Sequence, residues 1–170
     1  MKGKCYWVTG LSATGKTTLS KLLVDNFRAS GRVVVHLDGD ELRQVLSDEA
    51  YTREERIALG MRYSRLCKLL TDQGINVVMS VIGLYKELHT WNRENIENYI
   101  EIFIDTPLDE LKRRDPKGIY KKFDSGKIKN VSGLDLKLDF PVNPHVHLKW
   151  STNKEVDSMF QELLNNIKHF

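Results

Sequence analysis

Residues 4–17 read Lys-Cys-Tyr-Trp-Val-Thr-Gly-Leu-Ser-Ala-Thr-Gly-Lys-Thr. The first six form a short apolar run that stops at a glycine, the pattern of a buried strand. From Lys16 to about Ala29 the apolar residues Leu19, Leu22, Leu23, Val24 and Phe27 recur at helical spacing, and Gly31 supplies the stop. Between strand and helix, Gly10 to Thr17 fit the spacing GxxxxGK[ST]. Each residue type there has a physical purpose. The glycines let backbone N–H groups turn inward around phosphates with no Cβ in the way. The helix N-terminus adds the positive end of its dipole. Lys16 is placed to reach β- and γ-phosphates, and the Thr17 hydroxyl to ligate Mg²⁺. The expected ligand is a nucleoside triphosphate, held by Gly10, Ser12, Ala13, Thr14, Gly15, Lys16, Thr17 and Thr18.

Working outward, residues 32–37 (RVVVHL) predict a second strand whose unbroken β-branched core suits a parallel sheet buried on both faces. Asp38-Gly39-Asp40 follows it directly. Carboxylates at the C-terminal end of a parallel strand face the ligand crevice, where they can hold Mg²⁺ or take a proton from an attacking hydroxyl. Arg43, one helical turn on, either forks onto an anion or stays solvated.

The segment from Thr52 to Gly74 predicts a long helix, with Thr52 and Glu55 as a capping box. Its Arg53, Arg56, Arg62 and Arg65 do not share one face, and pairing with Glu54 and Glu55 accounts for some of them. Residues 75–79, 99–104 and 145–149 predict three further strands. Helices are expected over 86–98, from Pro107 to about Arg113, and from about Lys154 to Lys168 with Ser151 or Thr152 as cap. Strands alternating with helices give right-handed βαβ crossovers. The expected fold class is α/β, a P-loop NTPase three-layer αβα sandwich with a five-stranded parallel sheet. The expected organisation is a single domain over 1–170. Residues 114–144 carry little apolar periodicity and are too long for an idle loop, so they read as a lid.

The 170 residues carry 26 Lys+Arg against 23 Asp+Glu, a net +3. Residues 112–129 alone hold eight Lys/Arg and two Asp, a local +6, so the rest of the chain is slightly acidic. That distribution suits a polyphosphate counterpart and gives no support to nucleic-acid binding. No apolar run reaches the roughly 18–20 residues that span a membrane. The N-terminus lacks the apolar core and cleavage site of a signal peptide, so a cytoplasmic location is expected. Cys5 and Cys67 lie at apolar positions outside any metal-like spacing and read as reduced core thiols. His145 and His147 read as edge-strand residues.

Several stretches together resemble the adenylylsulfate (APS) kinases: GLSATGKTT, LDGDELR at 37–43, YTREERI at 51–57, SVIGLYK at 80–86, FIDTPLDELKRRD at 103–115 and KGIYKKFDSGKIKNVSGLD at 117–135. The resemblance covers nearly the whole chain. It implies ATP with Mg²⁺ as donor and the ribose 3′-hydroxyl of a nucleotide as acceptor. It implies Asp40 and Lys16 as catalytic residues, Thr17 and Asp38 at the metal, and Arg114 among the ATP contacts. The acceptor set it implies is Asp38, Asp40, Arg43, Tyr51, Arg56, Val81, Ile82, Lys121 and Leu134, with Lys121 and Lys122 on the lid. The expected partners are ATP and a nucleotide, with a homodimer as assembly, and neither nucleic acid nor membrane.

The departures from the family fall on the acceptor side. Glu41 stands where the family has Asn, Leu59-Gly60-Met61-Arg62 replaces an Asn-Ile-Arg-Arg run, and Gly83-Leu84-Tyr85-Lys86 replaces Ser-Pro-Tyr-Arg. Val131-Ser132-Gly133-Leu134 replaces Phe-Thr-Gly-Ile, so of two aromatic residues that sandwich the acceptor's adenine in the family only Tyr51 remains. One stacking face is worth roughly 1–3 kcal/mol per base. This look is similar to a branch of the family that phosphorylates cytidine diphosphoramidate in capsule phosphoramidate synthesis. That acceptor is the preferred expectation, with adenylylsulfate as the alternative.

Overall fold

The computed structural model describes residues 1–47, 49–152 and 155–170. Its elements run β1 Cys5–Thr9, α1 Lys16–Ala29, β2 Val34–Asp38, α2 Gly39–Val45, α3 Arg53–Asp72 and β3 Asn76–Val81. They continue with α4 Lys86–Asn95, β4 Tyr99–Asp105, α5 Leu108–Arg114, α6 Ile119–Asp124, β5 Val146–Lys149 and α7 Val156–Ile167. The five strands form one sheet in the order β2-β3-β1-β4-β5, every pairing parallel.

Every residue of β1 is buried, because its alternating side chains feed two cores. Tyr6 and Val8 pack with Leu19, Leu23 and Phe27 of α1 and Leu163 of α7. Cys5 and Trp7 point the other way, to Leu59, Tyr63 and Cys67 of α3 and Leu88 of α4. Helices therefore cover both faces, which makes the three-layer α/β sandwich expected of the strand–helix alternation. Both cysteines are free and fully buried. The register Asp38↔Ser80, Val81↔Thr9 and Thr9↔Phe103 sets the C-terminal strand ends side by side, with the β1–α1 loop above them.

The helix caps follow local chemistry. Thr52 and Glu55 form a complete capping box: Glu55 N donates to Thr52 Oγ1 at 3.2 Å and Thr52 N to Glu55 Oε2 at 2.9 Å. Gly31, at φ 76°, follows the Ser30 cap of α1 in the left-handed conformation that ends many helices.

Some boundaries differ from expectation. The helix expected over 86–98 ends at Asn95, because Ile96 turns extended and buries itself on the way into β4. Pro107 is the cap of α5 rather than its first residue. The cap of α7 is Glu155, not Ser151 or Thr152, and the expected start at Lys154 lies outside the described residues. The segment 114–144 is not wholly irregular: it contains α6 and an isolated bridge between Ser132 and Leu136.

Candidate active site

The β1–α1 loop is shaped by close approaches. A Cβ on Gly10 would lie 2.7 Å from the Ile104 carbonyl of β4, so only glycine fits there. Gly15 has open space around it but sits at φ 92°, a left-handed conformation that penalises any side chain. The Leu11 carbonyl gathers the loop: it accepts from the Thr14 N–H at 3.4 Å, from Thr14 Oγ1 at 3.0 Å and from Lys16 Nζ at 2.6 Å. Burial pulls the Lys16 ammonium down to about 8, against the upward pull of Asp40 and Asp38.

Beside the loop, Thr17 Oγ1 donates to Asp38 Oδ2 at 2.8 Å. The other oxygen of the buried Asp38 accepts from Asp40 N at 2.9 Å and so caps α2. One carboxylate thus ties the start of α1 to the start of α2. The Asp40 side chain stands 65% exposed and forms an ion pair with Lys117, which stands 54% exposed on the lid. Behind Asp38, Ser80 Oγ meets His36 Nε2 at 2.9 Å, and burial pushes that imidazole below its ordinary value.

A cavity of about 470 Å³ opens over these groups. Of the residues expected at the site, it is lined by Ser12, Ala13, Gly15, Lys16, Thr17, Thr18, Asp38, Asp40, Arg43, Arg56, Val81 and Ile82. Gly10 and Thr14 lie outside the lining and hold the loop's shape instead. Arg114 also lies outside it, against the loop's outer side: it donates to the Ala13 carbonyl at 3.4 Å and lies over the Trp150 ring at 5.7 Å. Its neighbour Glu110 is held at about 2 by Arg113 and Arg114, which outweigh burial.

On the acceptor side the structure departs from expectation at Lys121, Leu134 and Tyr51. Lys121 is exposed on α6, its N–H donating to Asp115 Oδ2 at 3.0 Å, and the cation of segment 114–144 that lines the cavity is Lys117. Leu134 lines a separate apolar hollow with Leu11, Leu108 and Phe140. Tyr51 is half exposed outside the lining, and Val131 is buried within the lid. Arg56 lines the cavity, but its donors are engaged: with Tyr51 O at 3.0 Å, Asn130 O at 2.9 Å and Ser132 Oγ at 3.4 Å. Arg43 donates to Ala50 O at 2.9 Å. The far wall, missed in the sequence reading of the site, is Leu59, Gly60, Tyr63, Tyr85 and Leu88. The departing stretches that contain Leu59-Gly60 and Tyr85 were its sequence signals.

Among the described residues no group of three or more His, Cys, Asp or Glu is placed to hold a metal, and no helix is long and apolar enough to cross a membrane. The Thr17–Asp38 pair nonetheless offers two hard oxygens at the mouth of the loop, the donor type that suits Mg²⁺.

A parallel sheet with a glycine loop between its central strand and α1, and a lysine held by that loop, defines a P-loop kinase. The chain belongs to the adenylylsulphate kinase family, whose model matches residues 2–149, and it is a phosphotransferase with a hydroxyl acceptor. It is 38% identical over 143 residues to the cytidine diphosphoramidate kinase of Campylobacter jejuni, covering 83% of this chain and 84% of that protein. It is 34% identical over 167 residues to the adenylyl-sulfate kinase of a Picosynechococcus species, covering 98% of this chain and 94% of that protein. The structure of the Mycobacterium tuberculosis APS kinase CysC in complex with AMPPNP and APS superposes with a TM-score of 0.90 at 31% identity, covering 98% of each chain.

Proposed function

We propose that the enzyme transfers the γ-phosphoryl group of ATP to the ribose 3′-hydroxyl of a nucleoside 5′-phosphate anhydride, with cytidine diphosphoramidate as preferred acceptor. The observation that carries the acceptor preference is the far wall of the cavity. Leu59 and Gly60 make it apolar where the family carries its Asn-Ile pair, with Gly60 packed against Leu88, and Val131 is buried rather than offered as a stacking face. The loss of one stacking face weakens capture of adenine by roughly 1–3 kcal/mol. The similarity to the Campylobacter jejuni enzyme supports the same choice.

In this reading the chain works as one kinase domain with residues 114–144 as its lid. Lys16 leaves the Leu11 carbonyl for the β- and γ-phosphates. Thr17 and Asp38 hold Mg²⁺, which neutralises phosphate charge when bound. Asp40 orients the 3′-hydroxyl and takes its proton, and Arg43 faces the acceptor's phosphates. Arg56 sets the lid over the acceptor through Asn130 and Ser132. Catalysis is mostly positioning and charge neutralisation.

Adenylylsulfate is the second reading, supported by the close superposition on the APS-bound kinase. ADP release measured with each acceptor separates the two. The expected result is a higher kcat/KM with cytidine diphosphoramidate, and an adenylylsulfate value larger by about tenfold, the worth of one stacking face, overturns the preference.

A further inference from the structure

The phosphate loop is held from behind as well as by its own glycines. Tyr120, buried on α6, packs with Leu11, Phe103 and Leu111, and Ala13 lies against the same cluster. Its hydroxyl donates to the Ser12 carbonyl at 3.0 Å, across 108 residues of chain. Next to it Arg114 donates to the Ala13 carbonyl at 3.4 Å. Two successive loop carbonyls are therefore drawn toward α5 and α6. Burial pushes the Tyr120 phenol up to about 12, so it remains a donor at neutral pH. The place of α6 is itself fixed, because the buried Asp115 accepts the Lys121 N–H at 3.0 Å and secures its first turn.

Ala13 is a non-glycine residue at φ 67°. That left-handed conformation penalises a side chain and lasts only where the surroundings over-determine it. Here the surroundings are the two carbonyl contacts and the apolar cluster. A trans peptide points its N–H opposite to its carbonyl, so the Ala13 N–H faces away from Tyr120. Ser12 and Ala13 line the cavity and Tyr120 does not. The amide is therefore turned toward the side where a triphosphate lies. We propose that Tyr120 is a positioning residue of the phosphate loop, whose hydroxyl holds the Ser12 carbonyl back so that the Ala13 N–H is set for the triphosphate. Tyr120 touches no substrate and acts through one peptide plane. Without its hydroxyl that plane is free to rotate and Ala13 to relax, and an arriving anion has to restore both. The coupling is reciprocal: an anion that fixes the loop also fixes α6. The inference needs only triphosphate binding at this loop and is independent of the acceptor.

Tyr120→Phe removes the hydroxyl and keeps the ring in its cluster, and a thermal melt checks that it is folded. Calorimetry with ATP and Mg²⁺, and separately with inorganic tripolyphosphate, compares it with the wild type. Both dissociation constants are expected to rise by about five- to tenfold, the effect of one lost hydrogen bond. The kcat at saturating ATP and the acceptor KM are expected to stay within about twofold. Unchanged dissociation constants overturn the proposal. So does a rise for ATP alone, which puts the effect on the nucleoside, and so does a joint loss of kcat and acceptor affinity, which marks a general loss of structure. Hydrogen exchange on the wild-type protein tests the same coupling with no substitution. Tripolyphosphate is expected to slow exchange of the amides of residues 119–124 by about fivefold or more, and no slowing there overturns the proposal.

Discussion

The Thr17 hydroxyl and the Asp38 carboxylate meet at 2.8 Å across the gap between α1 and β2. The hydroxyl spends its proton on Asp38 and keeps its lone pairs for a cation. Asp38→Ala removes two things, since the same carboxylate caps α2 through Asp40 N. Losing the cap is expected to cost about 1 kcal/mol, hence a Tm lower by about 2–4 °C. Asp38→Asn keeps a cap acceptor and so keeps the Tm, but loses the charge. Its kcat is expected to fall by about 10²-fold, with a higher Mg²⁺ requirement. ADP release across a Mg²⁺ titration checks this; an unchanged titration removes Asp38 from the metal site.

Lys16 predicts a proton signature for nucleotide binding. With its value pulled to about 8 by burial, about half of the free enzyme carries a neutral Lys16 near pH 8. Triphosphate charge favours the ammonium, so binding there takes up about half a proton. At about pH 6 the lysine is already charged and uptake vanishes. Calorimetry in buffers of different ionisation enthalpy reads both. The same shift predicts that the free enzyme gains stability as pH rises from about 8 toward 10.5, because the unfolded chain then holds the extra proton.

Gly60 couples helix packing to the acceptor cavity. A Cβ on this α3 residue would lie 2.5 Å from Leu88 Cδ1 on α4. Leu88 is otherwise fully buried, and the open space beside it is the cavity that both residues line. Gly60→Ala gains about 1 kcal/mol of helix propensity, against about 1–3 kcal/mol of overpacking. The melting point is therefore expected to drop only slightly. The displaced Leu88 methyl moves into the cavity, and the acceptor KM is expected to rise by about tenfold while the KM for ATP stays put.

Arg53 of α3 ties Asp139, near the end of the segment 114–144, to Glu87 of α4. It reaches Asp139 at 2.7 Å and Glu87 at 3.3 Å, and Asp139 also accepts the Lys86 N–H at 3.3 Å. Arg53→Met is expected to cost about 1 kcal/mol or less. The sharper readout is limited trypsin digestion, in which cleavage after Lys127, Lys129 and Lys137 is expected to quicken because the lid opens locally more often. Unchanged cleavage rates show that the anchor lies elsewhere.

The phosphate loop was readable because its chemistry is contiguous: eight neighbouring residues state the turn, the cation and the hydroxyl. Asp38 and Asp40 were readable because a strand must end where they begin. α2 left no apolar period to read, since it buries none of its residues. The acceptor side was harder for a different reason. Which lid lysine meets Asp40 depends on a turn at Asp115–Gly118, and that turn favours Lys117 over Lys121. Arg56 stood in the expected acceptor set, but its donors go to the nearby Tyr51 carbonyl and to the Asn130 carbonyl and Ser132 hydroxyl, 74 and 76 residues along the chain. Such pairings are fixed by tertiary closure, which no local spacing encodes.

The Leu11 carbonyl that accepts from Lys16 has a further consequence for the proposed reaction. A half-buried ammonium released by a departing phosphoryl group would otherwise be left without an acceptor, which is costly. Leu11 gives it a standing place of return, one already braced by Thr14. In the proposed reaction, product release would be a handover of Lys16 from a phosphate oxygen to the Leu11 oxygen. Backbone, rather than another side chain, would then ready the site for its next substrate.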